Sequence, residues 1–411
     1  MSANSGSALL LRNVRVVDGR GVRAERADVL LADGRIQRIH SGTLTSAGAV
    51  GAGGAEALDL AGRTIVPGLM NAHSHICLDG TSPDPEAVLR DESPAVNAVR
   101  SAARLRKILA SGVTAIRDVG APWGVDIALR RLVEAGEILG PRMITAGRNI
   151  CMTGGHGNWM GLEADGVDGL RQAVRSQVKA GATAIKLMST GGMMTPNQRA
   201  GAPQLTVEEM TAACEEAHKA GFPITAHAES DEGVRNAVLA GCDSVEHGHG
   251  ATVDTLQMML DRGTALVPTI LSDRRIIEAP PGSGIPQFVI DKCVPLGDAL
   301  IETLHNAFRM GVTIAAGNDG GAPLVEVGEM AEELELYVLH GLSPQKALES
   351  GTINTGRLFR IPEVGYLEPG WHADILVVGG DPLTDISVLR APQAVIKAGQ
   401  VVARNGQLVV A

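Results

Sequence analysis

Thr64-Ile65-Val66-Pro67-Gly68-Leu69-Met70-Asn71-Ala72-His73-Ser74-His75 is the stretch from which the rest of this chain is read. An apolar run ends in a turn of small residues, and two histidines follow with one residue between them. In a strand, residues i and i+2 point to the same face. At a strand end His73 and His75 therefore project together, as two imidazoles must to share a metal ion. Such a pair also arises by chance, so the remaining chain has to supply the other ligands.

Downstream, short apolar runs alternate with longer segments of helical period. The runs fall at residues 70–72, 114–118, 142–146, 184–188, 223–227, 244–247, 265–269 and 313–319. Gly112, Gly181, Gly221, Gly241 and Gly311 stand just before five of them, where a glycine stops a helix. Thr206 and Glu209 form a capping box that opens a helix over 207–219. Ser343-Pro344 supplies an N-cap and a first-turn proline for another. Eight strands, each followed by a helix, give an α/β chain with a (β/α)8 TIM barrel over residues 66–365.

The two ends of the chain read differently. Residues 8–39 carry short β-segments with an Asp33-Gly34 hairpin turn. Residues 41–57 are small and Gly-rich, which suits a surface loop, and 58–66 give one more strand. Short β-segments return at 373–378, 394–397 and 401–402, with a turn at Gly399. Residues 1–65 and 366–411 are therefore expected to share one small β-sandwich domain beside the barrel.

Composition removes several classes of function. The net charge of −10, with no basic run, argues against nucleic acid as a partner. Aromatics are 2% of the 411 residues, too few for a base-stacking platform. No apolar segment reaches transmembrane length, and residues 1–7 are polar without a signal-peptide pattern, so no membrane is expected. Five scattered cysteines, an odd number, suit free thiols in the reducing cytoplasm. With 45% hydrophobic residues, the chain can bury a large core.

A barrel carries its active site at the C-terminal ends of its strands. Strand one ends in His73 and His75, strand five in His227, strand six in His247 and strand eight in Asp319, while strand four carries Lys186. All are nitrogen or oxygen ligands or bases, and all would face one mouth.

The motifs 67–75 (Pro-Gly-Leu-Met-Asn-Ala-His-Ser-His), Gly181-Ala182-Thr183-Ala184-Ile185-Lys186, Thr225-Ala226-His227-Ala228, Ser244-Val245-Glu246-His247-Gly248, Val267-Pro268-Thr269, Gly317-Asn318-Asp319 and Ala373-Asp374 occur in that order. In this the sequence resembles the metal-dependent amidohydrolase superfamily. It is most similar to the branch of imidodipeptidases, carboxypeptidases and ochratoxin-degrading amidohydrolases. Asn318 departs from the Thr or Ser frequent there, at a position that is not a ligand.

The resemblance implies two divalent metal ions, zinc foremost. His73 and His75 would hold the more buried ion with Asp319, and His227 and His247 the other. Lys186 would be carboxylated and bridge them. Asp319 would relay the proton, and His156, in the Gly-rich loop after strand three, would polarise the scissile carbonyl. Other readings stay open for each residue. Lys186 could pair with Asp319, His227 could be a core histidine, and His156 a surface residue. Arg117-Asp118 reads as a structural ion pair, and His249 as a solvated neighbour of His247. Arg274 and Arg275, after strand seven, are the candidates for a substrate carboxylate. Met152, Trp159, Met193 and Met194 are candidate pocket walls, and Cys77 reads as a buried thiol.

The expected function is hydrolysis of an amide, peptide-like C–N bond by a cytoplasmic, homo-oligomeric enzyme. N-acyl amino acids, dipeptides ending in proline or an apolar residue, and related xenobiotic amides are the expected small-molecule substrates. A deaminase or cyclic-amide hydrolase is the alternative within the superfamily, though mononuclear deaminases there generally lack the strand-four lysine. A non-catalytic scaffold of the same fold is the alternative outside enzymes.

Overall fold

Asp33 and Gly34 both take left-handed φ, 52° and 73°. A two-residue hairpin turn needs this, because only then does its twist match that of the strands. The computed structural model in which this is seen describes residues 8–42, 44 and 56–409. The polar N-terminal residues 1–7 and most of the Gly-rich stretch at 41–57 lie outside the described residues.

The first strands are β1 (Leu9–Asp18), β2 (Gly21–Ala32), β3 (Arg35–Ser41), β4 (Glu56–Asp59) and β5 (Thr64–Pro67). Then come β6 (Leu69–Ser74), β7 (Val113–Asp118), β8 (Arg142–Thr145), β9 (Ile150–Cys151) and β10 (Leu162–Glu163). They are followed by β11 (Ile185–Met188), β12 (Ile224–Ala228), β13 (Ser244–His247) and β14 (Ala265–Val267). The last are β15 (Ile375–Val378), β16 (Ala394–Lys397), β17 (Gln400–Arg404) and β18 (Gln407–Leu408).

Both chain ends enter one nine-stranded sheet, in the order β18-β17-β16-β15-β5-β1-β2-β3, with β4 also on β1. The join is β5. It lies parallel to β1 on one side and antiparallel to β15 on the other, with Ile375 opposite Pro67 and Val378 opposite Thr64. The hydrogen bonds run unbroken through β5. The two halves of this sheet share a core, in which Leu11, Val29 and Leu31 meet Ile375, Val377 and Ile396, as the small β-sandwich domain expected from the sequence requires.

The central strands are parallel. They form a three-stranded sheet, β6-β7-β8, and a six-stranded sheet, β10-β9-β11-β12-β13-β14. Residues of β6, β7, β11, β12, β13 and β14 are buried throughout, as strands covered on both faces must be. Backbone bonds cross both gaps between the two sheets. At one, Thr183 and Ala184 donate to Thr145 O (2.7 and 3.1 Å). At the other, the segment 313–320 lies between β14 and β6: Ala315 N donates to Leu266 O, Ala72 N to Ala316 O and His75 N to Gly320 O. This eighth run is not a regular strand. Ala316 N is drawn away to Ser350 O and Thr355 Oγ1, so the ladder is interrupted.

The helices behave as their punctuation requires. Gly112, Gly181, Gly221, Gly241 and Gly311 all have positive φ. The Thr206–Glu209 capping box is formed at the start of Val207–Lys219. That helix lays Met210, Ala213, Cys214 and Ala217 against Leu170 and Val174 of the helix Gly166–Ala180. A buried leucine there contributes about 1.5–3 kcal/mol. Among the described residues, no helix is long and apolar enough to cross a membrane.

Candidate active site

Seven residues singled out in the sequence line one pocket: His73, His75, His156, Lys186, His227, His247 and Asp319. Their placement follows from strand geometry, and their orientation from a layer of buried partners beneath them.

His73 is the next-to-last residue of β6, and its Nδ1 lies 2.8 Å from Glu246 Oε2 of β13. A carboxylate can only accept, so Nδ1 carries the proton and Nε2 is left as a free ligand atom. Glu246 is itself held by Arg117 of β7, whose Nη2 donates to Oε1 at 2.6 Å. Arg117 also donates from Nε to Ala72 O (2.7 Å) and from Nη1 to Ser244 Oγ (3.1 Å). One guanidinium thus ties together three of the central strands. Burial works to raise the Glu246 carboxyl, yet the Arg117 charge and His73 hold it well below the usual carboxylate range. Arg117 does not pair with its neighbour Asp118, whose carboxylate instead accepts from Ile76 N and Gly120 N.

We expect Arg117→Leu to lower the unfolding free energy by about 3–5 kcal/mol, because Glu246 would be left as a buried charge without a cation. Urea titration measures this. A loss below about 1 kcal/mol would mean that Glu246 finds another partner.

Three other histidines are oriented in the same way. His75 Nδ1 donates to Gly120 O at 3.1 Å. His247 Nδ1 lies 2.7 Å from Thr269 Oγ1, and His156 Nδ1 lies 2.9 Å from Thr195 Oγ1. Thr269 sits at the start of the helix Ile270–Ile277, whose first amides, Ile270 N and Leu271 N, are both held by Glu333. Burial lifts the Glu333 carboxyl to about 8.

Three residues of this rim have left-handed φ: His247 (66°), Thr269 (54°) and Asp319 (53°). Each departs from the comfortable conformation of a non-glycine residue, at a cost of about 1–3 kcal/mol, which surrounding structure must hold in place. Gly192 has a different use. A Cβ there would stand 2.4 Å from His156 Nε2, so only glycine leaves the ring its position.

Two groups of candidate ligands result. His73, His75 and Asp319 bring their donor atoms within 4.8 Å of one another, and so do His227, Glu229 and His247. Asp319 Oδ1 stands 3.2 Å from His73 Nε2 and 3.5 Å from His75 Nε2. The two groups adjoin, since the His73 and His247 rings are 5.0 Å apart by centroid. Donors around one tetrahedral zinc are separated by about 3.3 Å, given bonds of about 2.0–2.1 Å. His227 Nε2 is buried with no hydrogen-bond partner. Spacing, donor type and this orphaned nitrogen all fit a divalent metal.

Lys186 lies on β11, 1% exposed, in the same pocket. It makes no ion pair with Asp319, whose partners are His73 and His75. Burial, first of all, lowers its pKa to about 8. Burial opposes ionisation of Asp319 too, but the histidines around it hold its carboxyl well below the usual range. His156, its pKa lowered to about 3 by burial and by Lys186, is neutral.

Some expectations end elsewhere. Arg274 and Arg275 do not line the pocket. They lie on the outer side of the helix Ile270–Ile277, Arg274 bonded to Glu278 and Arg275 to Glu329 and Glu332. The helix turns both away, and it is Ser272, Asp273 and Ile276 that face inward. His249 is buried, not solvated, and bonds Asp273 Oδ2 at 2.7 Å. Cys77 is buried as a free thiol. Trp159, Met193 and Met194 are pocket walls, joined by Leu78, Met160 and Met188; Met152 is not. Glu229 and Glu246 were not foreseen, although Glu229 follows His227 by the same two-residue step that joins His73 to His75.

A family model described as "Amidohydrolase family" matches residues 64–402. The chain belongs to the amidohydrolase family. It is 30% identical over 362 residues to the ochratoxinase of Aspergillus niger, covering 80% of this chain and 73% of that protein. Among solved structures, a Xaa-Pro dipeptidase with bound methionine in the active site superposes with a TM-score of 0.88 at 30% identity, over 96% of this chain and 99% of the other. The A. niger ochratoxinase structure gives 0.84 at 26% identity, over 96% of both chains. As an amidohydrolase, this protein is a hydrolase acting on C–N bonds. The family is generally metal-dependent, and with these neighbours it implies a TIM barrel of mixed α/β content.

Proposed function

We propose that this amidohydrolase uses two divalent metal ions, zinc foremost, to cleave the amide bond of N-acyl amino acids, of dipeptides ending in proline or an apolar residue, or of related xenobiotic amides. The observation that carries this reading is the convergence of His73, His75 and Asp319 with His227 and His247 on one pocket, with Lys186 buried in the same wall. Lys186 as a carbamate would offer anionic oxygen to both ions, where an ammonium would repel them. The relatives support the substrate class, being named for ochratoxin and for Xaa-Pro dipeptides. The apolar wall of Leu78, Trp159 and four methionines supports an apolar substrate side chain.

Bound ions supply Lewis acidity and lower the pKa of a water to near neutrality. The chain's own residues handle the rest. Asp319, ionised at working pH, is placed to accept a proton at its carboxylate and deliver it to the leaving nitrogen. Thr195 Oγ1 accepts from Gly157 N (3.2 Å) and can give its own proton to His156 Nδ1. The His156 tautomer is then fixed, with Nε2–H as a donor to the carbonyl oxygen of the substrate. Such a donor contributes about 3 kcal/mol to the transition state.

His156→Ala is therefore expected to lower kcat about a hundredfold while metal content stays intact. If kcat/KM stays within about twofold of the parent, His156 is only a loop residue. The substrate class is tested by screening N-acyl amino acids and dipeptides against the zinc-loaded protein. Turnover confined to amidines or cyclic amides would shift the reading to the deaminase side.

We also read the central strands as one closed (β/α)8 ring over 66–365, and residues 1–65 with 366–411 as one small β domain. The backbone bonds across both gaps and the β1-β5-β15 pairing support this. Removal of 366–411 would leave β5 an open edge, so the truncated chain is expected to aggregate. A soluble, active truncation would contradict it. A cytoplasmic location is supported by five cysteines that are all free thiols.

A further inference from the structure

We propose that Glu229 is a metal ligand, completing with His227 and His247 a second set of two imidazoles and one carboxylate. This rests on the two-metal reading above and adds a donor to it. Glu229 stands just past the end of β12, two residues after His227, so the two side chains share a face. Its Oε1 lies 3.6 Å from His227 Nε2. The carboxylate of the other group keeps nearly the same spacing, 3.2 and 3.5 Å from its two histidines. Both sets hold their donor atoms within 4.8 Å.

Among the described residues, nothing hydrogen-bonds two of the atoms at this site. His227 Nε2 and Glu229 Oε2 are both buried without a hydrogen-bond partner. A carboxylate 5% exposed in that state is costly unless a cation meets it. Two cationic side chains nearby, Lys292 and His249, are engaged elsewhere. Lys292 Nζ donates to Thr195 O (2.6 Å) and Gly192 O (3.4 Å), and His249 is bonded to Asp273. One cation between His227, His247 and Glu229 would meet the orphaned His227 nitrogen and the buried carboxylate together. Two nitrogens and a carboxylate oxygen form a donor set that binds zinc.

The test is metal content, not turnover. Wild type, Glu229→Leu and Glu229→Gln are loaded with zinc, desalted and assayed for ions per chain by plasma mass spectrometry. Release to a chelator and the visible spectrum of the cobalt-substituted protein are measured in parallel. Wild type should hold near two ions and Glu229→Leu near one, with an unchanged circular dichroism spectrum. Glu229→Gln keeps the shape and should release one ion at least about tenfold faster. If Glu229→Leu does not fold, the release rate of Glu229→Gln decides. Two ions retained with wild-type release rates overturn the proposal, and a raised KM alongside them would make Glu229 a substrate contact instead. Wild type holding fewer than two ions defeats the two-metal reading itself, and with it this inference.

Discussion

His73→Ala and His227→Ala are each expected to lose bound metal and nearly all turnover. The two residues belong to different donor groups, so each change strips a different group of one imidazole. His73 is the more deeply tied. Its Nδ1 is fixed by Glu246, which Arg117 holds in turn, and no other side chain can replace that oriented Nε2. His227 Nε2, in contrast, is orphaned in a buried site among the described residues. Loss of a ligand should therefore cost more than the ten- to hundredfold in affinity that is typical of losing a supporting residue. Metal analysis after gel filtration, with kcat/KM on the best substrate, measures both effects. Full activity in thoroughly chelated wild-type protein would rule out the metal-dependent reading.

Lys186→Ala should lower kcat by at least about a thousandfold, which corresponds to about 4 kcal/mol of transition-state stabilisation. Lys186 is fully enclosed, forms no ion pair with Asp319, and shares its pocket with four metal-candidate histidines. An ammonium there would face two cations, while a carbamate would bind them. The pKa lowered to about 8 leaves a share of neutral amine near neutral pH, the form that reacts with carbon dioxide. Formate or acetate added in solution should restore part of the activity by taking the carbamate's place. Carbon-13 NMR of metal-loaded protein prepared in labelled bicarbonate should show the carbamate carbon. A fully metallated, active enzyme without that signal would refute the assignment.

Much of this chain was legible because the signals are local. Asp33-Gly34 needs left-handed φ for its hairpin, and five glycines need it to end helices; both are properties of a few adjacent residues. The two-residue step in His73-Ser74-His75 fixes a shared face whatever the rest of the chain does. Strand ends could therefore be read from sequence, and with them the residues that meet in the pocket. The irregular eighth run was not legible. Its interruption comes from Ser350 and Thr355, which capture Ala316 N from elsewhere in the chain.

The sequence by itself determined which residue types stand at the strand ends and that strands alternate with helices through the middle of the chain. Only the tertiary structure decided who partners whom. Arg117 has Asp118 as its neighbour but bonds Glu246, 129 residues away, because β7 and β13 aim both side chains into the same dry interior. Arg274 and Arg275 follow a strand end as a substrate-binding residue would, yet the rotation of their helix sends both outward to acidic partners. Glu229 lies in the pocket for the converse reason: its strand end brought it level with His227, and among the described residues nothing hydrogen-bonds its Oε2. Backbone conformation is set by neighbours in the chain, whereas the pairing of buried charges is set by which elements pack together, so sequence proximity is a poor guide to it.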